Sequence, residues 1–322
     1  MADRRRVYSC IVTRGTACTL TAGFVALAVA GVLADSRDSF AVGVLRRDGI
    51  VLPFAVFDGK RWNAPWPGPT GDLTVPIDVR AVPKRWWGVG TILASWEVIL
   101  TGGTRAVRVL QPDWVDIACS RYVGLKTDYQ PPETAPPRTV QPYPKEGLAV
   151  SPPHAVERVE IVSLASNEIR ALMPVVQQSF NEAEREVESR FGHPITRRAR
   201  EGIAPTLEAI YAYGDSPRIY YIEAIRPYRR LGQNVGDCAA IGSGTGWFVR
   251  DAAGVRSLTM VVDVLNCQRE AASYMLPLGV LKLTDHLYWL AQFAGWGHER
   301  YVVLEVKKKV VEVVINKWGG GC

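Results

Sequence analysis

A proline-rich segment near the middle of the chain most constrains the fold. Eight of the 24 residues from Gln130 to Pro153 are proline. Proline has no backbone N–H to donate and favours an extended backbone, so such a segment interrupts helices and central strands. It predicts a linker over residues 130–153, between a domain at 35–129 and a domain at 154–322. The alternative is a long loop that crosses a single domain.

Short apolar runs separated by turn residues predict that the first domain is all-β. Asp48-Gly49 lies between the apolar runs 40–45 and 50–57, and Asp-Gly in that position is a strong hairpin signal. Pro53 should occupy a sheet edge or a bulge, because it cannot donate to a strand ladder. We therefore expect a β-barrel or a β-sandwich.

The second domain is predicted to be α+β. Apolar residues recur at helical spacing from Ile169 to Phe191, which indicates one long helix. Pro174 lies inside this pattern and predicts a kink or a fresh start. From Arg218 onward, short strands at regular spacing predict an antiparallel meander that the helix covers. The whole chain is thus expected to be mainly β, with antiparallel sheets and one long kinked helix.

The first 34 residues have the pattern of a secretory signal peptide. Three arginines at positions 4–6 precede the apolar run 17–34, which ends in Val32-Leu33-Ala34. Small residues at the last and third-last positions predict cleavage after Ala34. The run is also just long enough to span a bilayer, so the alternative is an uncleaved anchor over 17–34. Either way, we expect the rest of the chain to be secreted or periplasmic.

Export changes how the charge and the cysteines are interpreted. Removing the first 34 residues, with four arginines and one aspartate, lowers the formal net charge from +6 to +3. Such a small surplus does not indicate nucleic-acid binding. Four cysteines remain, and an even number in an oxidising compartment favours disulfides. Three pairings are possible. The proposed pairs are Cys238–Cys267, within one β-rich region, and Cys119–Cys322, which involves a glycine-rich tail expected to be flexible.

Common catalytic and cofactor motifs are absent from the sequence. It contains no GxSxG elbow, HExxH helix, GxxxxGK[ST] loop or EF-hand loop. The alternating glycines of 242–246 are followed by a strand-like run, so we interpret them as a flexible turn rather than a phosphate loop. The four histidines are scattered, and neither a metal nor a cofactor is expected.

Tryptophan clusters are the main candidates for a ligand site. Trp62, Trp66, Trp86 and Trp87 lie in the first domain. Exposed tryptophan can stack on a sugar ring, because its flat face is the largest of any side chain. The alternative is that these side chains pack in the core.

A second candidate cluster lies around the last hairpins. It comprises Trp289, Trp296, His298 and Glu299. Adjacent residues on a strand point to opposite faces, so His298 and Glu299 would act together only in a turn. Nearby, Lys307–Lys309 are expected to form a hairpin turn that is either solvated or in contact with anionic polymers or lipid head groups.

The sequence thus predicts an exported, non-catalytic binding protein, with a polysaccharide or an envelope protein as its partner. One alternative is a hydrolase of envelope or extracellular polymers that uses paired carboxylates. The candidate carboxylates are Glu223, Asp263, Glu299 and Glu305. Another alternative is a structural subunit whose apolar strands complete the sheet of a partner.

Overall fold

The structure is a computed structural model that describes residues 39–66, 95–137, 140, 142–229 and 238–322. The predicted signal peptide or anchor (1–34) and both Trp86 and Trp87 lie outside the described residues. Within them, three antiparallel sheets and two helices make the fold mainly β, as predicted. No helix in the described part of the chain is long and apolar enough to cross a bilayer.

Six strands close into a barrel, and a short seventh strand extends one side of it. The order is β1-β7-β4-β5-β6-β2, and β2 pairs back onto β1. The bounds are β1 (Ser39–Arg46), β2 (Ile50–Asp58), β3 (Trp62–Asn63), β4 (Ser95–Leu100), β5 (Gly103–Ile117), β6 (Ser120–Thr127) and β7 (Lys145–Ser151).

Local sequence signals explain how the barrel begins. Gly49 has a φ of +80° in the turn between β1 and β2, which confirms the hairpin expected from Asp48-Gly49. The register between these strands shifts next to the Gly43–Pro53 pair and leaves Phe54 without a partner, so a bulge lies beside the proline. The hydroxyl of Tyr122 donates to the Pro53 carbonyl oxygen at 2.9 Å.

The second sheet has five strands in the order β12-β11-β10-β9-β8. Their bounds are β8 (Glu160–Ile161), β9 (Thr206–Tyr213), β10 (Arg218–Tyr228), β11 (Ala240–Asp251) and β12 (Gly254–Leu265). Helix α1 (Ile169–Phe191) has the predicted bounds and continues through Pro174, and the short helix α2 (Arg197–Arg200) follows it. The kink at Pro174 stays a prediction. Leu172, Val176 and Phe180 pack one face of α1 on this sheet.

The last four strands form a separate meander. Their order is β13 (Ser273–Leu283), β14 (His286–Gly295), β15 (His298–Val306) and β16 (Val311–Gly321). The strands from Arg218 onward are antiparallel, as predicted, but they belong to two sheets rather than to a single meander. Helix α1 covers one face of the five-stranded sheet, which includes the first of these strands, and the four-stranded meander β13–β16 packs against the other face of that sheet.

Alternating residues of the meander contact two different layers. Trp289 and Val302 pack toward the five-stranded sheet, whereas Tyr288, Leu290 and Val303 belong to the same core as the barrel. Successive side chains of a strand point to opposite faces, so a strand that is apolar at every position can serve both layers. The layers are therefore helix, five-stranded sheet, four-stranded sheet and barrel.

The proline-rich segment takes part in the fold. Its residues 145–151 form β7, which pairs with β1 and β4. The barrel core also includes side chains from the meander, on the far side of this segment in sequence. The division into domains at 35–129 and 154–322 stays a prediction.

Both proposed disulfides are present. Cys119 is bonded to Cys322, with Cα atoms 4.8 Å apart, and Cys238 to Cys267, with Cα atoms 6.0 Å apart. Disulfides are typical of proteins outside the reducing cytoplasm. The expectation of a flexible glycine tail is wrong, because Gly319–Gly321 belong to β16. A Cβ at Gly319 would lie 2.8 Å from the Tyr301 ring, so glycine allows this strand to pack closely.

Candidate functional site

The two sheets of the second half are joined on one side and open on the other. Glu157 pairs with Val280 of β13 on the closed side. On the open side, the edge strands β12 and β16 border a cleft of about 340 Å³, which we call the β12–β16 cleft. Side chains from both sheets line it. They include Thr245, Thr259, Val261, Asp263, Phe293, Arg300, Val313 and Asn316.

The cleft contains polar groups that the protein does not use internally. The Nε atom of Arg300 and the Oγ atom of Ser273 are buried and have no hydrogen-bond partner among the described residues. The Arg300 guanidinium carbon lies 5.1 Å from the centre of the Phe293 ring. Buried polar groups are nearly always paired in folded proteins. Arg300 and Ser273 both line the cleft, so the walls of the cleft include polar side chains that are not fully paired within the protein.

An exposed aromatic strip continues the same face of the meander beyond the cleft. It consists of Trp296, His298 and Trp318. Trp318 is 45% exposed and Trp296 is 78% exposed. The rings of His298 and Trp318 are stacked, with centroids 5.6 Å apart and planes 10° apart. Trp318 pairs with Arg300 across β15 and β16, so the strip and the cleft are neighbours.

The turn between β14 and β15 presents this strip. Gly297 has a φ of +70°, a backbone conformation that glycine adopts without strain. A Cβ at Gly295 would lie 2.4 Å from the His298 ring, so the glycine leaves room for that ring. The Nδ1 of His298 lies 3.2 Å from the Trp296 carbonyl oxygen, to which it can donate.

The structure separates the members of the second predicted cluster. Trp296 and His298 are in the aromatic strip. Trp289 is fully buried between the sheets, 4.9 Å from Trp247 in an edge-to-face contact. Glu299 points to the barrel side, because it alternates with His298 along β15.

Glu299 lies in a buried polar cluster. Its carboxylate accepts hydrogen bonds from Lys145 at 2.9 Å, Gln292 at 3.0 Å and Tyr301 at 2.7 Å. Burial lowers the pKa of Lys145 and raises that of Tyr301. With these partners, the carboxylate joins the meander to the barrel and is not available to a ligand.

The described tryptophans of the first cluster are core residues. Trp62 is 8% exposed and Trp66 is 2% exposed. The Trp62 ring contacts the rings of Phe40, Phe57 and Tyr288 at 5.4–5.7 Å. Neither indole offers an open face to a sugar ring. A role for Trp86 and Trp87 stays a prediction.

The four candidate carboxylates do not converge. Glu223 and Asp263 lie on the cleft side of the five-stranded sheet, on strands separated by β11. Glu299 and Glu305 lie on the opposite face of the meander. Glu305 interacts with His286 at 2.6 Å and with Lys307 at 3.5 Å.

Glu223 is a buried carboxyl group with a perturbed pKa. Burial raises it to about 6, although its carboxylate accepts a hydrogen bond from the Met275 N–H at 2.8 Å. In the described ranges, no group of three histidine, cysteine or acidic side chains is arranged to hold a metal.

Sequence reasoning missed Trp318 and Arg300. The sequence pattern predicts a last strand over 310–315 only, whereas β16 continues to Gly321. Residues 315–319 mix polar and apolar types on both faces, so no period-2 pattern indicates that the strand continues to Trp318.

Comparison with protein-family models, with curated proteins and with solved structures finds no match to this chain.

Proposed function

We propose that this is an exported, non-catalytic protein that binds a carbohydrate polymer along the β12–β16 cleft and the aromatic strip. One sugar ring would stack on Trp318, and neighbouring hydroxyls would reach Arg300 and Asn316. The observation that carries the proposal is the half-exposed Trp318 ring beside a cleft that Arg300 and Asn316 line. Aromatic rings bind the apolar face of a sugar, and fixed donors select its hydroxyls.

Two further observations support this proposal. Both disulfides fit a protein outside the reducing cytoplasm, where carbohydrate polymers of the envelope are found. The cleft also mixes polar and apolar walls, with Asp263 and Thr259 beside Val261 and Val313. A purely apolar ligand would leave these polar groups without partners, which is unfavourable.

Affinity electrophoresis in gels that contain soluble β-glucan, xylan, arabinogalactan or polygalacturonate tests this function. The wild-type chain should be retarded by at least one of these polymers. Trp318→Ala should weaken binding about tenfold or more, the loss typical of an aromatic residue at a binding hot spot. Arg300→Gln should also weaken it, because Gln lacks the guanidinium.

Phe191→Ala is the matched control for this experiment. Phe191 is 82% exposed at the end of α1, away from the cleft. This variant removes an exposed aromatic ring without touching the cleft, so its retardation should equal that of the wild type. Unchanged binding by Trp318→Ala would contradict the proposed site.

Hydrolysis of the bound polymer is the second candidate function. Glu223 favours this function, because its pKa of about 6 suits a general acid. It lies on the same face of the five-stranded sheet as Asp263. Release of reducing ends that Glu223→Gln abolishes would establish this alternative. A structural subunit of an envelope complex would show neither retardation nor turnover.

A further inference from the structure

A second pocket opens at one end of the same two sheets, where the β11–β12 and β15–β16 turns lie. It has a volume of about 670 Å³, within the usual range for small-molecule sites. We call it the lysine pocket. Its floor and walls are Ile219, Val249, Leu258, Leu287 and Val306, and its rim includes Lys307, Lys308 and Lys309.

The interior of the lysine pocket is aliphatic. Ile219 and Val249 form its buried floor and belong to the core between the two sheets. Leu258, Leu287 and Val306 are half-buried and pack against the same core. An apolar chain placed here would cover surface that water now contacts, and its affinity would grow with the area that it buries.

The rim carries positive charge that is only partly neutralised. Lys307 pairs with Glu312 at 2.6 Å and with Glu305 at 3.5 Å, and Arg256 pairs with Asp251 at 3.8 Å. Lys308 and Lys309 are exposed and have no ion-pair partner among the residues that the structure describes. Two uncompensated ammonium groups therefore stand at the entrance of an aliphatic pocket.

We propose that the lysine pocket binds the carboxylate form of a long-chain fatty acid. The acyl chain would lie against Leu258, Leu287 and Val306, and the carboxylate would face Lys308 and Lys309. A polyanion would make no apolar contact with the aliphatic walls. A neutral lipid would form no ion pair with the two ammonium groups. This site shares no lining residue with the β12–β16 cleft, so it does not depend on the proposed carbohydrate function.

The test titrates the full chain with 11-(dansylamino)undecanoate and then displaces this probe with fatty acids. Lys308→Glu with Lys309→Glu should weaken probe binding by about tenfold at low salt, because two attractions become repulsions. The difference from wild type should nearly vanish at 1 M salt, where the Debye length is about 3 Å.

Displacement of the probe by decanoate, dodecanoate and tetradecanoate tests whether the acyl chain binds the aliphatic walls of the pocket. Each added CH₂ should improve competition by up to about fourfold, if it is fully buried. These measurements need no variant, so they remain decisive if a substitution in the pocket impairs folding. Competition that does not depend on chain length would overturn the proposal.

Two control variants test whether probe binding is specific to the lysine pocket. Arg185→Glu with Arg198→Glu reverses two exposed arginines on the helical side of the protein, and it should leave probe binding unchanged. Trp318→Ala should leave probe binding unchanged as well, even where it weakens carbohydrate binding. Equal weakening by both charge reversals would show a nonspecific charge effect and overturn the site. Binding to phosphatidylglycerol vesicles without binding to monomeric dodecanoate would assign the lysines to a membrane surface and overturn the fatty-acid proposal.

Discussion

At the residue scale, Glu223 is a buried carboxyl group without a cation to pair with among the described residues. The Met275 N–H is its hydrogen-bond donor, and burial raises its pKa from 4.5 to about 6. A raised carboxyl pKa means that the folded protein holds the proton more tightly than the unfolded chain. Glu223 therefore makes the folded protein less stable as the pH rises.

We expect Glu223→Gln to remove this pH dependence. In the wild type the contribution of Glu223 is fully favourable below pH 4.5 and is lost as the pH rises through about 6. The shift corresponds to about 2 kcal/mol of unfolding free energy. Gln resembles the protonated acid and still accepts the Met275 N–H.

Urea unfolding at pH 4.5 and pH 7 measures the difference. The free energy of unfolding should fall between these pH values by about 1.6 kcal/mol more in the wild type than in the variant, because half of the unfolded chains are already ionised at pH 4.5. All other titrating groups are common to both proteins, so they cancel in the comparison. Identical pH profiles would show that Glu223 ionises freely in the folded state.

At the element scale, alternating glycines in β11 make room for the Phe180 side chain of helix α1. Gly242, Gly244 and Gly246 lie in β11, so the interpretation of 242–246 as a flexible turn is wrong. A Cβ at Gly244 would lie 2.6 Å from the Phe180 ring of α1 and 2.7 Å from the Met260 side chain. The missing side chains let the aromatic ring approach the strand backbone.

Gly244→Ala should therefore destabilise the packing of α1 on the sheet. Forcing a methyl group into a filled site costs about 1–3 kcal/mol. Thermal unfolding followed by circular dichroism would measure the loss. The control is Gly102→Ala, in a turn where a Cβ would meet no atom within 4 Å. Equal effects of the two substitutions would mean that loss of glycine flexibility, rather than contact with Phe180, controls stability.

At the scale of the whole molecule, the Cys119–Cys322 disulfide ties the last strand to the barrel. It links residues 203 positions apart, whereas Cys238–Cys267 links residues 29 apart. The hydroxyl of Ser120 donates to the Gly321 carbonyl oxygen at 2.8 Å beside the longer link. The C-terminal end of β16 is therefore fixed next to the β5–β6 turn.

Removing the longer link should destabilise the protein more than removing the shorter one. The entropy of closing a loop predicts a loss of about 5 kcal/mol for Cys119→Ala with Cys322→Ala, and about 4 kcal/mol for Cys238→Ala with Cys267→Ala. Calorimetry of the two double variants would compare them. A larger loss for the shorter link would show that native contacts around each bridge outweigh loop length.

Sequence patterns were sufficient where a local rule governs the structure. The Asp48-Gly49 hairpin follows from turn preferences, and helix α1 follows from apolar spacing. The presence of disulfides followed from the even cysteine number, and the Cys238–Cys267 pair from a shared β-rich region, but no local rule supported the Cys119–Cys322 pair. The same rules failed at 242–246 and 319–321, because glycine serves close packing there as well as turns.

The sequence by itself determined the mainly β fold class and the long helix, whereas it left three disulfide pairings open and the structure selected the proposed one. Only the tertiary structure decided which face each strand presents and which aromatic rings are exposed. Trp62 and Trp318 are chemically alike, yet one is enclosed by three rings in the barrel core and the other is half exposed beside a cleft. That difference arises from long-range pairing of sheets, which residue type and local spacing do not encode.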